Sequence, residues 1–205
     1  MGCCLSSSKE LRGLAVSATS DVVAPLEVAW ATIQDVSSQP QFRKETNSID
    51  FLFKQRDGTL KNISEERFVF EEGALWRENT TFEGDIYESL NSITSIKEVN
   101  SEDGKIALSR SVQIATQFTN RRKHKTTTHT ATYSVLNNLL DKGDDQQKTC
   151  RLQVSMAYLP DGFWSQVDMR RRGKKLEVFA QCIFQKRLDE FAAEAERRYK
   201  ETIKR

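Results

Sequence analysis

The C-terminal stretch constrains this chain most. No proline follows Pro160 and no glycine follows Gly173, while Leu176, Phe179, Ala180, Ile183, Phe184, Leu188, Phe191, Ala192, Ala195 and Tyr199 recur at spacings of three and four. That spacing predicts one amphipathic helix of about 40 residues, its apolar stripe flanked by Lys, Arg and Glu. At 1.5 Å per residue it would run roughly 60 Å, longer than a small domain needs, so its last turns are expected to project or bend. Such a helix cannot bury its stripe alone. The rest of the chain must supply a broad apolar surface.

The middle of the chain reads as that surface. Leu14, Val16, Ala18 and Val22 share one parity, with Ser17, Thr19 and Asp21 on the other, which predicts a strand with one wet face. Pro25 then fits the first turn of a short helix carrying Leu26, Ala29, Trp30 and Ile33, and a second short helix is expected over 37–42 around Pro40. Phe51 and Phe53, then Phe68 and Phe70, suggest short strands separated by the Asp57-Gly58 turn. Residues 75–82 and 86–97 are strand-like with less cleanly separated faces. Alternation is clearer in Ile106, Leu108, Val112 and Ile114, in Ala131, Tyr133 and Val135, and from Cys150 through Leu152, Val154 and Met156 to Tyr158. The polar run 141–147 is expected as a hairpin loop.

Composition narrows the class. The chain has 205 residues, 38% apolar and 29% charged, with a net charge of +2. These values suit one globular domain rather than a disordered chain. No apolar run approaches the roughly 18 residues of a spanning helix. Cys150 and Cys182 lie far apart without the spacing of a zinc or redox site, and both are expected as reduced core residues. No metal or cofactor motif occurs, and none is expected to bind.

The N-terminus, Met1-Gly2-Cys3-Cys4-Leu5-Ser6, carries a separate instruction. Removal of Met1 exposes Gly2 for N-myristoylation, and Ser6 supplies the small hydroxyl residue four positions on. A single myristoyl chain gives only marginal membrane binding, so a second signal is needed; Cys3 and Cys4 provide it as palmitoylation sites. Residues 1–12 are therefore expected to be an acylated anchor and linker, and 13–205 one domain. The expected location is the cytoplasmic face of a membrane, as a monomer.

The order of strand, two short helices, antiparallel strands and one long helix resembles the helix-grip fold of the START-like superfamily, which includes polyketide cyclase/dehydrase and lipid-transport proteins. Val23-Ala24-Pro25-Leu26-Glu27-Val28-Ala29-Trp30, followed by Ile33-Gln34-Asp35 and Pro40-Gln41-Phe42, is similar to that superfamily's opening pattern. The resemblance implies an α+β fold in which a curved antiparallel sheet wraps around the C-terminal helix. It also implies a cavity between them for a lipid or other small hydrophobic ligand. The expected lining is Phe51, Phe53, Phe68, Phe70, Ile106, Leu108, Val112, Tyr133, Val154, Met156, Phe179 and Ile183.

Two polar residues interrupt apolar faces. Arg110 shares the parity of Leu108 and Val112, and His129 that of Ala131 and Tyr133. Pointing inward, they would orient the polar head of an amphipathic ligand; at a sheet end they would reach water. Two basic clusters, Arg121-Arg122-Lys123 with Lys125, and Arg170-Arg171-Arg172 with Lys174 and Lys175, are expected to face an anionic membrane surface. The functions in competition are a membrane-tethered ligand carrier, a cyclase-like enzyme in the same cavity and a closed-cavity scaffold for a protein partner. Catalytic motifs are missing, which disfavours the enzyme. The basic clusters lack interleaved aromatics, which disfavours nucleic acid.

Overall fold

The computed structural model describes residues 14–204 except 83, 103, 105, 122–124, 139–148 and 159–162; for 82, 125, 163–173 and 176 it describes the backbone. Gly2, Cys3, Cys4, Arg122, Lys123 and the 141–147 loop therefore lie outside the described residues.

The chain opens with β1 (Leu14–Val22), whose alternating burial follows its sequence parity. Pro25 sits one place before α1 (Leu26–Gln34), as its N-cap. Its missing N–H is no loss there, since a helix leaves its first donors unpaired anyway. Leu26, Ala29, Trp30 and Ile33 face the core from α1. After α2 (Gln39–Phe42) come β2 (Thr46–Lys54) and the three-residue β3 (Leu60–Asn62), joined through Gly58, whose φ of 86° a side chain would strain. The long strands follow: β4 (Leu75–Phe82), β5 (Asp85–Asn100), β6 (Ala107–Asn120), β7 (Lys125–Asn137) and β8 (Cys150–Tyr158). The helix α3 (Phe163–Ile203) closes the fold with 41 residues.

All eight strands form one antiparallel sheet in the order β1-β8-β7-β6-β5-β4-β2-β3. Irregularities at Thr46/Ser48, Ile93/Ser95 and Val99/Asn100 add the local bend that a sheet needs to curl around a helix. One face is the core. Val16, Ile93, Val112, Val135, Leu152 and Val154 reach it from the sheet, while Phe184, Leu188, Phe191 and Ala195 reach it from α3. Each large side chain of this kind stabilises the fold by roughly 1.5–3 kcal/mol through burial. Gln181 and Gln185 of α3 donate to the backbone oxygens of Ser17 and Thr19 at 2.6 and 2.9 Å. The helix therefore runs beside β1 and in its direction.

Four sequence expectations are corrected. Phe68 and Phe70 are not in a strand. They follow a single 3-10 turn at Glu65–Arg67 and pack as half-buried aromatics, Phe68 against Phe51 at 4.2 Å and Phe70 against Trp30 at 6.2 Å. Cys182 is exposed rather than core, because it falls on the flank of the stripe; Cys150 is buried, and burial pushes its thiol up to about 12. Phe53 has the inward parity of Phe51 but is 59% exposed, since β2 there pairs with the short edge strand β3 and runs beyond the helix side of the core. Ile106, also exposed, precedes the first residue of β6.

Candidate ligand site between sheet and helix

The inner face divides into bands along the strands. Register sets Ile93, Ile114, Ala131, Met156 and Val16 side by side on five consecutive strands, all buried. The neighbouring band, Ile96, Val112, Tyr133, Val154 and Ala18, is also largely apolar. Among the expected lining residues, Val112, Val154 and Met156 are buried within these bands, and Tyr133 and Ile183 are half-buried. Leu108 is half-buried at the far end of β6. Phe179 is 39% exposed, on the part of α3 that precedes the tight packing begun by Phe184.

On the other side of the first band the character changes. Phe51, Trp76, Asn91, Thr116 and His129 form the next row, followed by Glu78, Ser89 and Phe118. Here β5, β6 and β7 extend beyond the Leu14–Tyr158 pair that ends β1 and β8. Half-buried Tyr87 and Phe118 stack on this extension with centroids 4.7 Å apart. The inner face is buried and apolar at one end, polar in the middle and aromatic toward the end where β1 starts.

A charged cluster braces the polar band. Glu78 accepts from Arg43 Nη2 at 2.6 Å and from the Thr46 hydroxyl at 2.8 Å, while Gln39 accepts from Arg43 Nη1 at 2.6 Å. Arg187 of α3 approaches Glu78 at 3.9 Å and lies beside the Tyr133 hydroxyl. Burial acts to raise the Glu78 carboxyl, but Arg43, Arg187 and the Thr46 hydrogen bond outweigh it and hold the group below the ordinary carboxylate range. Sequence reading missed this cluster. Its signal was the polar residues Glu78, Thr80, Ser89 and Asn91 spoiling the alternation of β4 and β5.

His129 does point inward, edge-on to Phe184 at 6.4 Å. Burial, reinforced by the Arg187 charge, lowers its pKa to about 4, so the imidazole is neutral near pH 7. The folded value lies below the unfolded 6.5, so unfolding takes up a proton in acid. Stability is therefore expected in full above about pH 6.5 and to fall as pH drops toward 4. Urea titrations across that range check this: a His129→Gln variant should show a flatter profile, missing up to about 3 kcal/mol of pH dependence.

Arg110 does not serve as a free cation. Its Nε donates to Glu98 at 2.7 Å across the β5–β6 pair, at the end of the sheet away from His129. Of the basic residues, exposed Arg121 pairs with Glu88 at 2.5 Å, and Lys174 and Lys175 are exposed on α3. Arg170, Arg171, Arg172 and Lys125 belong to α3 and β7 by backbone. Among the described residues, no three or more His, Cys, Asp or Glu side chains gather as metal ligands. No helix there is long and apolar enough to cross a membrane.

Known structures share this architecture. An aromatase/cyclase from Streptomyces superposes with TM-score 0.50 at 14% identity, covering 91% of this chain and 96% of its own. A protein from Nitrosospira multiformis gives TM-score 0.53 at 13% identity, with 88% and 94% covered. A START superfamily protein from Mycobacterium smegmatis gives TM-score 0.41 at 17% identity, with 87% and 99% covered. No protein-family model matches the sequence, nor does any curated protein. With its eight-stranded antiparallel sheet, two short helices after β1 and long C-terminal helix, the chain has the START-like helix-grip fold.

Proposed function

We propose that this protein is a membrane-tethered binding or transfer module for a lipid or other small hydrophobic molecule, held between the sheet and α3. The observation that carries this reading is the graded inner face: a buried apolar band, then a polar band, then half-buried aromatics toward the end where β1 starts. A ligand entering there would bury its apolar body while its polar end met the polar band.

The same end suits a membrane. Leu14, where the Gly2-Cys3-Cys4 segment joins the domain, lies at that end with the β4–β5 and β6–β7 turns. Arg121, Lys174, Lys175 and the exposed Ile86 belong to it too. Acyl chains at Gly2, Cys3 and Cys4 would hold this face to a cytoplasmic leaflet, and each exposed cation near anionic lipid would add about 1 kcal/mol. The mouth would then face the bilayer that supplies its ligand.

Native mass spectrometry of the full chain, purified without lipidation, tests the carrier. The expected result is a co-purifying small molecule released by mild activation. Protein that stays empty after exposure to membrane lipid extracts would count against it.

A further inference from the structure

One row of the inner face has hydrogen bonds left open. Trp76 on β4 stands opposite Asn91 on β5, Asn91 opposite Thr116 on β6, and Thr116 opposite His129 on β7. With neighbouring strands about 4.8 Å apart, the row crosses roughly 14 Å of the face. Trp76 and Asn91 are only 4% and 6% exposed, yet the indole Nε1 and the amide Nδ2 have no acceptor. The Thr116 hydroxyl donates to Asn91 Oδ1 at 2.9 Å, which leaves the amide's N–H end as the open one. A buried unpaired donor costs about 1–3 kcal/mol. Two of them on facing positions of paired strands mark a place where an acceptor belongs.

The chemistry of that acceptor is constrained. A carboxylate would bring a buried charge in need of a cation, and the described cations nearest this row already face carboxylates: Arg43 and Arg187 share Glu78, and Lys186 pairs with Glu45. A hydroxyl could accept, but its own proton would then need an acceptor as well, a demand that a carbonyl does not make. A carbonyl oxygen has two lone pairs and no proton, so a single carbonyl answers both donors. The buried Ile93, Ile114 and Ala131 flank this row on one side, and the Tyr87–Phe118 stack lies on the other.

We propose that this site, taken as the ligand site of the carrier reading on which the inference rests, selects uncharged apolar molecules bearing a ketone or ester carbonyl. The carbonyl oxygen accepts from Trp76 Nε1 and Asn91 Nδ2, and the rest of the molecule lies along the apolar inner face.

The test compares three probes of equal chain length on the full chain: methyl nonyl ketone, undecane and undecanoate. Affinities come from titration followed in 1H–15N spectra, with the Trp76 indole resonance assigned through Trp76→Phe. The ketone is expected to bind about tenfold more tightly than the other two and to move that resonance downfield. Trp76→Phe, which keeps an aromatic ring against Phe68, should remove most of the preference, and Asn91→Leu should do the same. Equal affinity for ketone and alkane, tighter binding of undecanoate, or a preference that survives both substitutions would overturn the carbonyl assignment and leave a hydrophobic carrier standing. Binding of none of the three would overturn the carrier as well.

Discussion

A Gly2→Ala variant is expected to move from the membrane fraction to the soluble fraction and to lose all incorporation of a myristate analogue. In the anchored form proposed above, the whole attachment would rest on this position, because myristoylation needs the α-amino group of an N-terminal glycine and palmitoylation of Cys3 and Cys4 would follow only once myristate had brought them to a bilayer. Cys3→Ser/Cys4→Ser should keep the label and weaken retention, since one acyl chain gives only marginal, reversible binding. Cell fractionation and analogue labelling read both variants. Unchanged membrane recovery of Gly2→Ala would remove the anchor from the proposal, while the ligand site would stand untouched. The domain should then still bind its ligand from solution.

The second large effect concerns the buried pair under α3. Glu78→Ala leaves Arg43 charged, buried and without its carboxylate, and should destabilise the fold by about 3–5 kcal/mol. Arg43→Ala should cost less, because Arg187 and the Thr46 hydroxyl still face Glu78. The double change Arg43→Met/Glu78→Leu removes both of these charges but takes Glu78 away from Arg187 as well, so it should recover only part of the loss, which denaturant titration would show. The pair also carries a pH signature. The Glu78 pKa is held below its ordinary 4.5, so its contribution is present above that value and is lost as pH falls through the lower folded one. His129 loses its contribution at milder acid, between about 6.5 and 4, so the two groups act in successive windows of an acid titration.

The split between what could and could not be read in advance follows from periodicity. The 41-residue helix and the clean strands β1, β7 and β8 repeat an apolar pattern long enough to identify themselves, and the Ala-Pro opening placed α1. Phe68 and Phe70 imitate a strand because two aromatics two residues apart fit a period of two. They are in fact held by ring contacts with Phe51 and Trp30, which are distant in sequence. Phe53 shows a different failure: parity gives the face of a strand but not how far the core beneath extends. The central part of the candidate site was hidden for a related reason. Glu78, Ser89 and Asn91 occupy inward positions, so β4 and β5 read as poor strands. A strand that alternates badly is where a sheet keeps polar groups inside, and the weakest part of the pattern marked the chemistry.

The place of β1 in the sheet bears on how the protein is made. Among the described residues its strand neighbour is β8, and Gln181 and Gln185 tie its backbone to α3, so this strand is completed by parts of the domain that follow the rest of the sheet. During translation β1 waits, unpaired, for the whole remainder of the sheet. Such long-range closure is slow and leaves an open edge exposed meanwhile. Ser17, Thr19 and Asp21 on its wet face make that edge less adhesive. In the anchored form proposed above, an enzyme acting on Gly2 would meet an unfinished chain, before α3 has closed the domain.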